Sequence, residues 1–222
     1  MKRVTRHLWI ALFLVLIFSS CAYAGKGPQD TEHKYPGFIE IRIKGTPDSS
    51  QLLFPFGLPT TVAVEGLSYN ESTNTLTMRN FKSKEFGLLC GNMGDDFRIK
   101  LVGSNELAFL SYISESNYNT NLTIAGKGSL VVNKSRNFDG IYGGSELYGL
   151  NMKLIVKKPA KVTAYCGHES GSYSLKFYNT DLPLKSVFKA NTKKKVKFKT
   201  ATDKLPEGQA RVYTATSRIV IK

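Results

Sequence analysis

Acidic residues, histidine, tryptophan and cysteine are all scarce in this chain of 222 residues. Its 17 Asp and Glu face 31 Lys and Arg, which gives a formal net charge of +14. Only two histidines, His33 and His168, follow residue 24, and they do not have the spacing of a metal-ligand pair. No stretch beyond the N-terminus repeats apolar residues at the helical period. These shortages argue against a helical protein and against a histidine metal site.

The N-terminal residues predict export. Residues 1–6 carry three cations, residues 8–18 form an unbroken apolar run, and Ala22-Tyr23-Ala24 fits the small-x-small cleavage rule. An apolar run of this length is too short to cross a bilayer. We therefore expect residues 1–24 to be a secretory signal peptide, with no integral membrane span.

A second interpretation of the N-terminus stays open. The string Phe18-Ser19-Ser20-Cys21 resembles a bacterial lipoprotein box with Phe where Leu is usual. Under this alternative Cys21 becomes the lipidated first residue. The protein would then be a periplasmic or outer-membrane-anchored accessory lipoprotein.

Two cysteines, Cys90 and Cys166, remain after removal of the signal peptide. Each precedes a Gly, a short Gly-containing turn and a strand-like run. An oxidising compartment favours their pairing, and closing so long a loop stabilises a fold by about 4–5 kcal/mol in the chain-entropy model. The sequence thus predicts one disulfide. The alternative, a catalytic Cys166 thiol assisted by His168, lacks a third orienting group.

Short strands separated by turns account for most of the remaining chain. Leu76 and Met78 share one face of a strand, and the polar residues 70–74 before them have hairpin chemistry. About a dozen such strands without a helix predict an all-β fold, namely an antiparallel immunoglobulin-like β-sandwich with one disulfide. We expect it to span residues 25–222, with residues 25–36 as a flexible lead-in. One large sandwich and two small modules both stay open.

Catalytic motifs are not evident. The chain has no Gly-Lys-Ser/Thr phosphate loop and no Gly-x-Ser-x-Gly nucleophile elbow, and spaced oxygen ligands for a cation do not follow Asp95 and Asp96. We therefore expect a protein that is not an enzyme and needs no metal or cofactor. A third hypothesis is an enzyme that acts on cell-wall or surface glycans. It stays open because the paired carboxylates of a glycosidase cannot be located without a fold.

Residues 136–149 form a loop rich in Gly and aromatic residues. Aromatic faces stack on sugar rings, while Asn and Asp hydrogen-bond to hydroxyl groups, so the loop is a candidate for glycan contact. Its alternative is a glycine-rich corner whose tyrosines pack on the fold. The candidate ligand-binding residues of this loop are Asn137, Phe138, Asp139, Tyr142 and Tyr148.

A lysine stripe near the C-terminus is the second candidate for binding. Strand alternation would bury Val196 and Phe198 and present the ammonium groups of Lys195, Lys197 and Lys199 together on the other face. That face suits sulfate, phosphate or carboxylate groups. The alternative is that these lysines guard a sheet edge against aggregation. Export and the lack of a nucleic-acid motif argue against a nucleic-acid partner.

The two ends of the chain resemble bacterial fimbrial subunits of the chaperone–usher route. Residues 38–44 alternate with Ile39, Ile41 and Ile43 on one face, like the donor segment of such subunits. The closing stretches Leu205-Pro206-Glu207-Gly208, Tyr213-Thr214-Ala215-Thr216 and Ile219-Val220-Ile221 are similar to their last strand.

The resemblance implies an exported subunit that completes its neighbour's sheet by strand addition. Its partners would be neighbouring fimbrial subunits and a periplasmic chaperone, together with an anionic or glycan host ligand. We therefore expect a minor or adhesive fimbrial subunit that travels from the periplasm to the cell surface.

Overall fold

The computed structural model describes residues 37–43, 51–55, 63–94, 96–113, 120–144, 152–179, 188–190, 199–205 and 208–221. The expected signal peptide and lead-in lie outside this part of the chain. The described residues form strands and a single 3₁₀ turn at Glu71–Thr73. The strands are β1 (Phe38–Ile43), β2 (Gln51–Pro55), β3 (Leu67–Asn70), β4 (Thr75–Arg79), β5 (Phe86–Gly91), β6 (Arg98–Val102), β7 (Ser104–Leu107), β8 (Leu110–Ile113), β9 (Thr120–Gly126), β10 (Ser129–Val132), β11 (Ile141–Gly144), β12 (Met152–Val156), β13 (Lys161–Ala164), β14 (Leu175–Asn179), β15 (Phe188–Ala190), β16 (Lys199–Leu205), β17 (Gly208–Ala215) and β18 (Ile219–Ile221).

The central strands wind into a coil of three parallel sheets. Sheet A contains β5, β8, β11 and β14; sheet B contains β4, β6, β9, β12 and β15; sheet C contains β7, β10 and β13. From β6 onward the chain visits sheets B, C and A in turn and then returns to B. Each strand therefore pairs with the strand one turn earlier, which is the arrangement of a parallel β-helix.

The expected antiparallel immunoglobulin-like sandwich is therefore wrong, although the chain is made of strands as expected. From β4 to β15 each strand turns a corner into a different sheet and does not fold back on the strand before it. At the corner between β6 and β7 one residue, Gly103, makes the change of direction with a φ of 67°. A side chain other than glycine is strained in that left-handed conformation, so a corner this tight suits glycine.

Columns of apolar side chains fill the interior of the coil. In sheet B, Leu76 pairs with Ile99, Ile99 with Ile124, and Ile124 with Val156, and all four are buried. Matching columns in the other two sheets contain Leu88, Leu110, Ile141 and Leu175 (sheet A) and Leu107, Val132 and Ala164 (sheet C). Each turn thus packs on the next through inward residues at alternate strand positions.

Two interior asparagines tie successive turns together. Asn105 accepts a hydrogen bond from the Phe81 backbone N–H at 3.0 Å and donates to the Ser129 carbonyl at 3.1 Å. Asn133 accepts from the Phe138 N–H at 3.1 Å and donates to the Tyr165 carbonyl at 3.2 Å. Both side chains are buried, so these bonds satisfy backbone groups at the corners that the sheet ladders leave free.

Antiparallel strands cover both ends of the coil. β1 pairs with β5 in sheet A and β3 pairs with β4 in sheet B, while β17 pairs with β14 and β18 with β13 at the other end. The predicted strand at residues 38–44 is present as β1. Ile39 and Ile41 are buried in the core, Ile43 is half-buried, and β1 is paired on both edges within its own chain, with β2 and with β5.

The predicted Cys90–Cys166 disulfide is also wrong, because both cysteines are free. Cys90 lies on β5 in the first turn, and Cys166 follows β13 in the last complete turn. Between β5 and β14 sheet A makes three strand-to-strand steps, or about 14 Å at the usual spacing. A disulfide tolerates at most about 7 Å between Cα atoms, so turns this far apart along the coil cannot be bridged.

Candidate functional site: the outer face of sheet A

One row of outward side chains crosses the C-terminal half of sheet A. Tyr142 on β11 pairs with Lys176 on β14, Lys176 pairs with Thr214 on β17, and Thr214 pairs with Lys199 on β16. Directly opposed residues on neighbouring strands present their side chains on one face of a sheet. The adjacent residues Phe177 and Ala215 are buried inside, so this sheet A row (Tyr142, Lys176, Thr214 and Lys199) faces outward. It spans about 14 Å.

Three tyrosine rings gather around Lys176. The ring of Tyr142 lies 5.8 Å from that of Tyr178 and 6.4 Å from that of Tyr173, measured between centroids. The Lys176 ammonium lies 5.0 Å from the Tyr178 centroid and 5.9 Å from the Tyr173 centroid. These distances are within cation–π range, so the rings hold the ammonium in place beside them.

The sequence places these side chains together through strand alternation in β14. Leu175 and Phe177 turn inward, so Lys176 and Tyr178 share the outer face. Tyr178 pairs with Val212, and both are almost fully buried. The partly buried Tyr142 packs against them, so this packing fixes the position of the cluster. Tyr173 is positioned just before the strand, where its backbone N–H donates to an Asp139 carboxylate oxygen at 3.3 Å.

This arrangement is suited to binding an acidic sugar. Tyr142, Tyr173 and Lys176 are all partly exposed, and Lys199 is exposed at the end of the row. Aromatic faces pack against the C–H faces of sugar rings, while ammonium groups form charge-assisted hydrogen bonds with carboxylates and sulfates. The Thr214 hydroxyl between the two lysines can donate and accept hydrogen bonds.

The structure unites parts of two separate sequence candidates. Tyr142 comes from the loop at 136–149 and Lys199 comes from the lysine stripe, and both lie on the sheet A row. Asp139 contacts the cluster through Tyr173. Tyr148, Lys195 and Lys197 lie outside the described residues.

Two other predicted loop residues lie away from the row. The Phe138 ring makes an edge-to-face contact with Phe109 at 6.3 Å, and its backbone is held by the side chain of Asn133. Asn137 is exposed in the loop between β10 and β11. For Phe138, the alternative of a loop whose aromatic residues pack on the fold is therefore the better description.

Sequence reasoning missed Tyr173, Lys176 and Tyr178. From the sequence alone, the run from Tyr173 to Phe177 indicates a half-buried strand after Cys166, and no motif marks its outward positions as a site. The alternation of Lys176 and Tyr178 with Leu175 and Phe177 was the signal that would have found two of them.

The surroundings of Cys166 are basic. A terminal guanidinium nitrogen of Arg136 lies 3.8 Å from the Cys166 sulfur, and Arg136 Nε donates to the Cys166 carbonyl at 3.2 Å. His168 is exposed, and its backbone N–H donates to the Arg136 carbonyl. Among the described residues no group of three or more His, Cys, Asp or Glu is placed to hold a metal ion.

None of the described segments forms a helix that is long and apolar enough to cross a membrane.

Comparison with known proteins does not identify a family for this chain. No protein-family model, curated protein or solved structure matches the chain.

Proposed function

We propose that this chain is an exported, non-catalytic adhesion protein that binds acidic glycans through the sheet A row and its tyrosine cluster. The observation that carries the proposal is the placement of Lys176 among Tyr142, Tyr173 and Tyr178, with Lys199 on the same row. The sequence features at residues 1–24 support export. The excess of cations over acids supports an anionic ligand.

The energetics favour a polymeric ligand over a single sugar. Exposed ion pairs contribute about 0–1 kcal/mol each, and aromatic contacts of this kind add about 0.5–1.5 kcal/mol beyond their buried area. Two lysines and two half-exposed rings therefore bind one acidic sugar weakly. A polysaccharide that offers many equivalent sugars gains affinity through repeated engagement.

The proposal does not depend on strand exchange. The resemblance to fimbrial subunits implied a sandwich lacking one strand, whereas β1 is here inserted between β2 and β5 of its own chain. A donor role for Ile39, Ile41 and Ile43, and a partnership with neighbouring subunits and a periplasmic chaperone, stay predictions. Adhesion is the part of that hypothesis to which the sheet A row gives a physical basis.

The test is binding to immobilised polysaccharides that differ in charge. We expect the processed protein to bind a uronic-acid polymer and a sulfated dextran, and not neutral dextran. The double variant Lys176→Gln/Lys199→Gln should weaken binding to the acidic polymers by about tenfold, since the loss of two exposed charge contacts of about 0.7 kcal/mol each removes about 1.4 kcal/mol. Tyr142→Ala should weaken it through loss of stacking.

A control of equal charge comes from elsewhere in the coil. Lys134 and Lys161 are exposed, in the loop after β10 and on β13 of sheet C, so Lys134→Gln/Lys161→Gln removes the same charge without touching sheet A. Circular dichroism should show all variants folded. If the control loses as much affinity as the sheet A double variant, net charge alone explains the binding and the proposed site is wrong.

A further inference from the structure

The outer face of sheet B differs in chemistry from the sheet A row. The six strands that form sheet B contain no Asp or Glu, whereas strands of sheets A and C contain Glu40, Asp203 and Glu106. Sheet B carries four described cationic side chains, namely Arg79, Arg98, Lys100 and Lys153. All charged residues on the strands of sheet B are therefore cations.

The cations project from a low, even surface. Arg98 and Lys100 are exposed and alternate with buried Ile99 and Leu101, which places both on the outer face. Arg98 lies between Thr75 and Thr123, and Lys100 lies between Thr77 and Ala125. Because these neighbours are short, the two long basic side chains extend furthest from the sheet.

The corner between sheets B and C extends this charged face. Lys127 follows β9, and Lys157 and Lys158 follow β12, all three exposed at the points where the chain leaves sheet B. Equivalent corners of successive turns lie about one strand spacing apart along the coil. We call the seven residues the sheet B basic face: Arg79, Arg98, Lys100, Lys127, Lys153, Lys157 and Lys158.

Within the described part of the chain, these cations have no acidic partner. Among the described residues, none of the seven forms an ion pair; the recorded pair joins Arg42 to Glu40 in β1. Three described acids flank strands of sheet B, namely Glu65, Glu71 and Asp96; they are exposed in turns at strand ends, and Asp96 accepts a hydrogen bond from Asn74. Like charges on neighbouring strands repel one another, so the face gains most from an external anion.

We infer that the sheet B basic face docks on an anionic lipid surface. The cations are distributed in two dimensions over β4, β6 and β12 and over the corner that follows β9 and β12, which fits a planar array of headgroups better than a single polymer strand. The outward positions of these four strands hold no aromatic residue, in contrast to the three tyrosines at the sheet A row. Single-stranded nucleic acids and sugars are usually bound with aromatic stacking, whereas headgroup attraction needs charge alone.

The inference is tested by co-sedimentation of the processed protein with vesicles. The probes are vesicles of phosphatidylcholine with about 30% phosphatidylglycerol, and vesicles of phosphatidylcholine alone, a contrast that isolates headgroup charge. We expect binding to the first and not to the second, and a steep loss of binding as salt is raised. Each cation near such a surface contributes about fivefold, so Arg79→Gln/Arg98→Gln/Lys100→Gln should weaken vesicle binding by about 100-fold.

The matched control removes three exposed lysines outside sheet B, as Lys84→Gln/Lys134→Gln/Lys161→Gln. It should retain vesicle binding to within about fivefold, as the loss of distant charges acts only through the screened long-range field. The Lys176→Gln/Lys199→Gln variant should also bind vesicles normally, which separates this inference from glycan binding at sheet A. Equal losses in the two triple variants, or no binding of the unaltered protein to phosphatidylglycerol vesicles, would overturn the inference.

Discussion

Replacing Asn105 by Ala should lower the free energy of unfolding by more than most single substitutions do. Asn105 is 1% exposed, accepts from the Phe81 N–H at 3.0 Å, and donates to the carbonyls of Val102 and Ser129 at 3.3 and 3.1 Å. Alanine leaves three backbone groups in the interior without this partner. A typical hydrogen bond contributes about 0.5–1.5 kcal/mol and an unsatisfied buried group costs about 1–3 kcal/mol, so we expect a loss of about 3 kcal/mol.

Urea unfolding followed by far-ultraviolet circular dichroism measures this loss. With a slope of about 2–3 kcal/mol per molar urea, the unfolding midpoint of Asn105→Ala should fall by about 1–1.5 M. Asn105→Asp is a sharper variant, because it keeps an acceptor for the Phe81 N–H but directs an oxygen at two carbonyls. We expect Asn105→Asp to be at least as unstable as Asn105→Ala.

The reference for this experiment is Asn137→Ala, which changes an exposed loop asparagine in the same way and should stay within about 0.5 kcal/mol of the unaltered protein. A midpoint for Asn105→Ala that equals that of Asn137→Ala would refute the reasoning. It would mean that the turns of the coil are held together by apolar packing alone, without the asparagine bridges.

Two further predictions concern the interior. Gly143→Ala should lower the free energy of unfolding by about 1–3 kcal/mol, because a Cβ there would lie 2.4 Å from the Met152 sulfur and 2.5 Å from the Phe177 ring; an unchanged thermal midpoint would contradict this packing. Without reductant, a thiol reagent should label Cys166 in the folded protein and Cys90 only after unfolding, because burial raises the pKa of the Cys90 thiol and removes it from solvent. Two thiols that stay unlabelled in denaturant would contradict the free cysteines.

Local features of the fold could be predicted because they depend on neighbouring residues. The alternation is present as expected over residues 38–43, Leu76 and Met78 point inward, and the polar residues 70–74 do connect antiparallel strands β3 and β4. Each of these features needs only the period-two pattern of a strand and the chemistry of a tight turn. Correct strands, however, do not determine which strands pair.

The parallel pairing was not predictable from the same pattern. Parallel strands are usually covered on both faces and are then apolar throughout, so clean alternation such as that of β6 indicated an antiparallel sheet. In a β-helix only the inner face is covered, and the alternation persists. The register pairs Leu88 with Leu110, Leu110 with Ile141, and Ile141 with Leu175, so successive turns lengthen and no fixed repeat appears in the sequence.

The similar sequences around the two cysteines illustrate the same limit. Cys90 lies on an inner-face position at the end of β5 in sheet A, opposite Tyr112 of the next turn. Cys166 lies at a corner after β13, between sheets C and A. The shared Cys-Gly, turn and strand pattern therefore describes two different places in the coil, because any corner followed by a strand requires similar residues.

The coil also explains how one small domain can have two different binding faces. Inward positions are constrained by the apolar columns, while outward positions of each sheet are free to change. Sheet A can therefore carry tyrosines on its outer face, while the charged residues on the strands of sheet B are all cations.

The sheet A row also depends on the strands that cover the end of the coil. Tyr142 and Lys176 lie on parallel strands of the coil, but Thr214 and Lys199 lie on the antiparallel strands β17 and β16 that cover its end. A one-residue slip of β17 against β14 would turn Thr214 inward, so the pairing that closes the coil also completes the proposed glycan site.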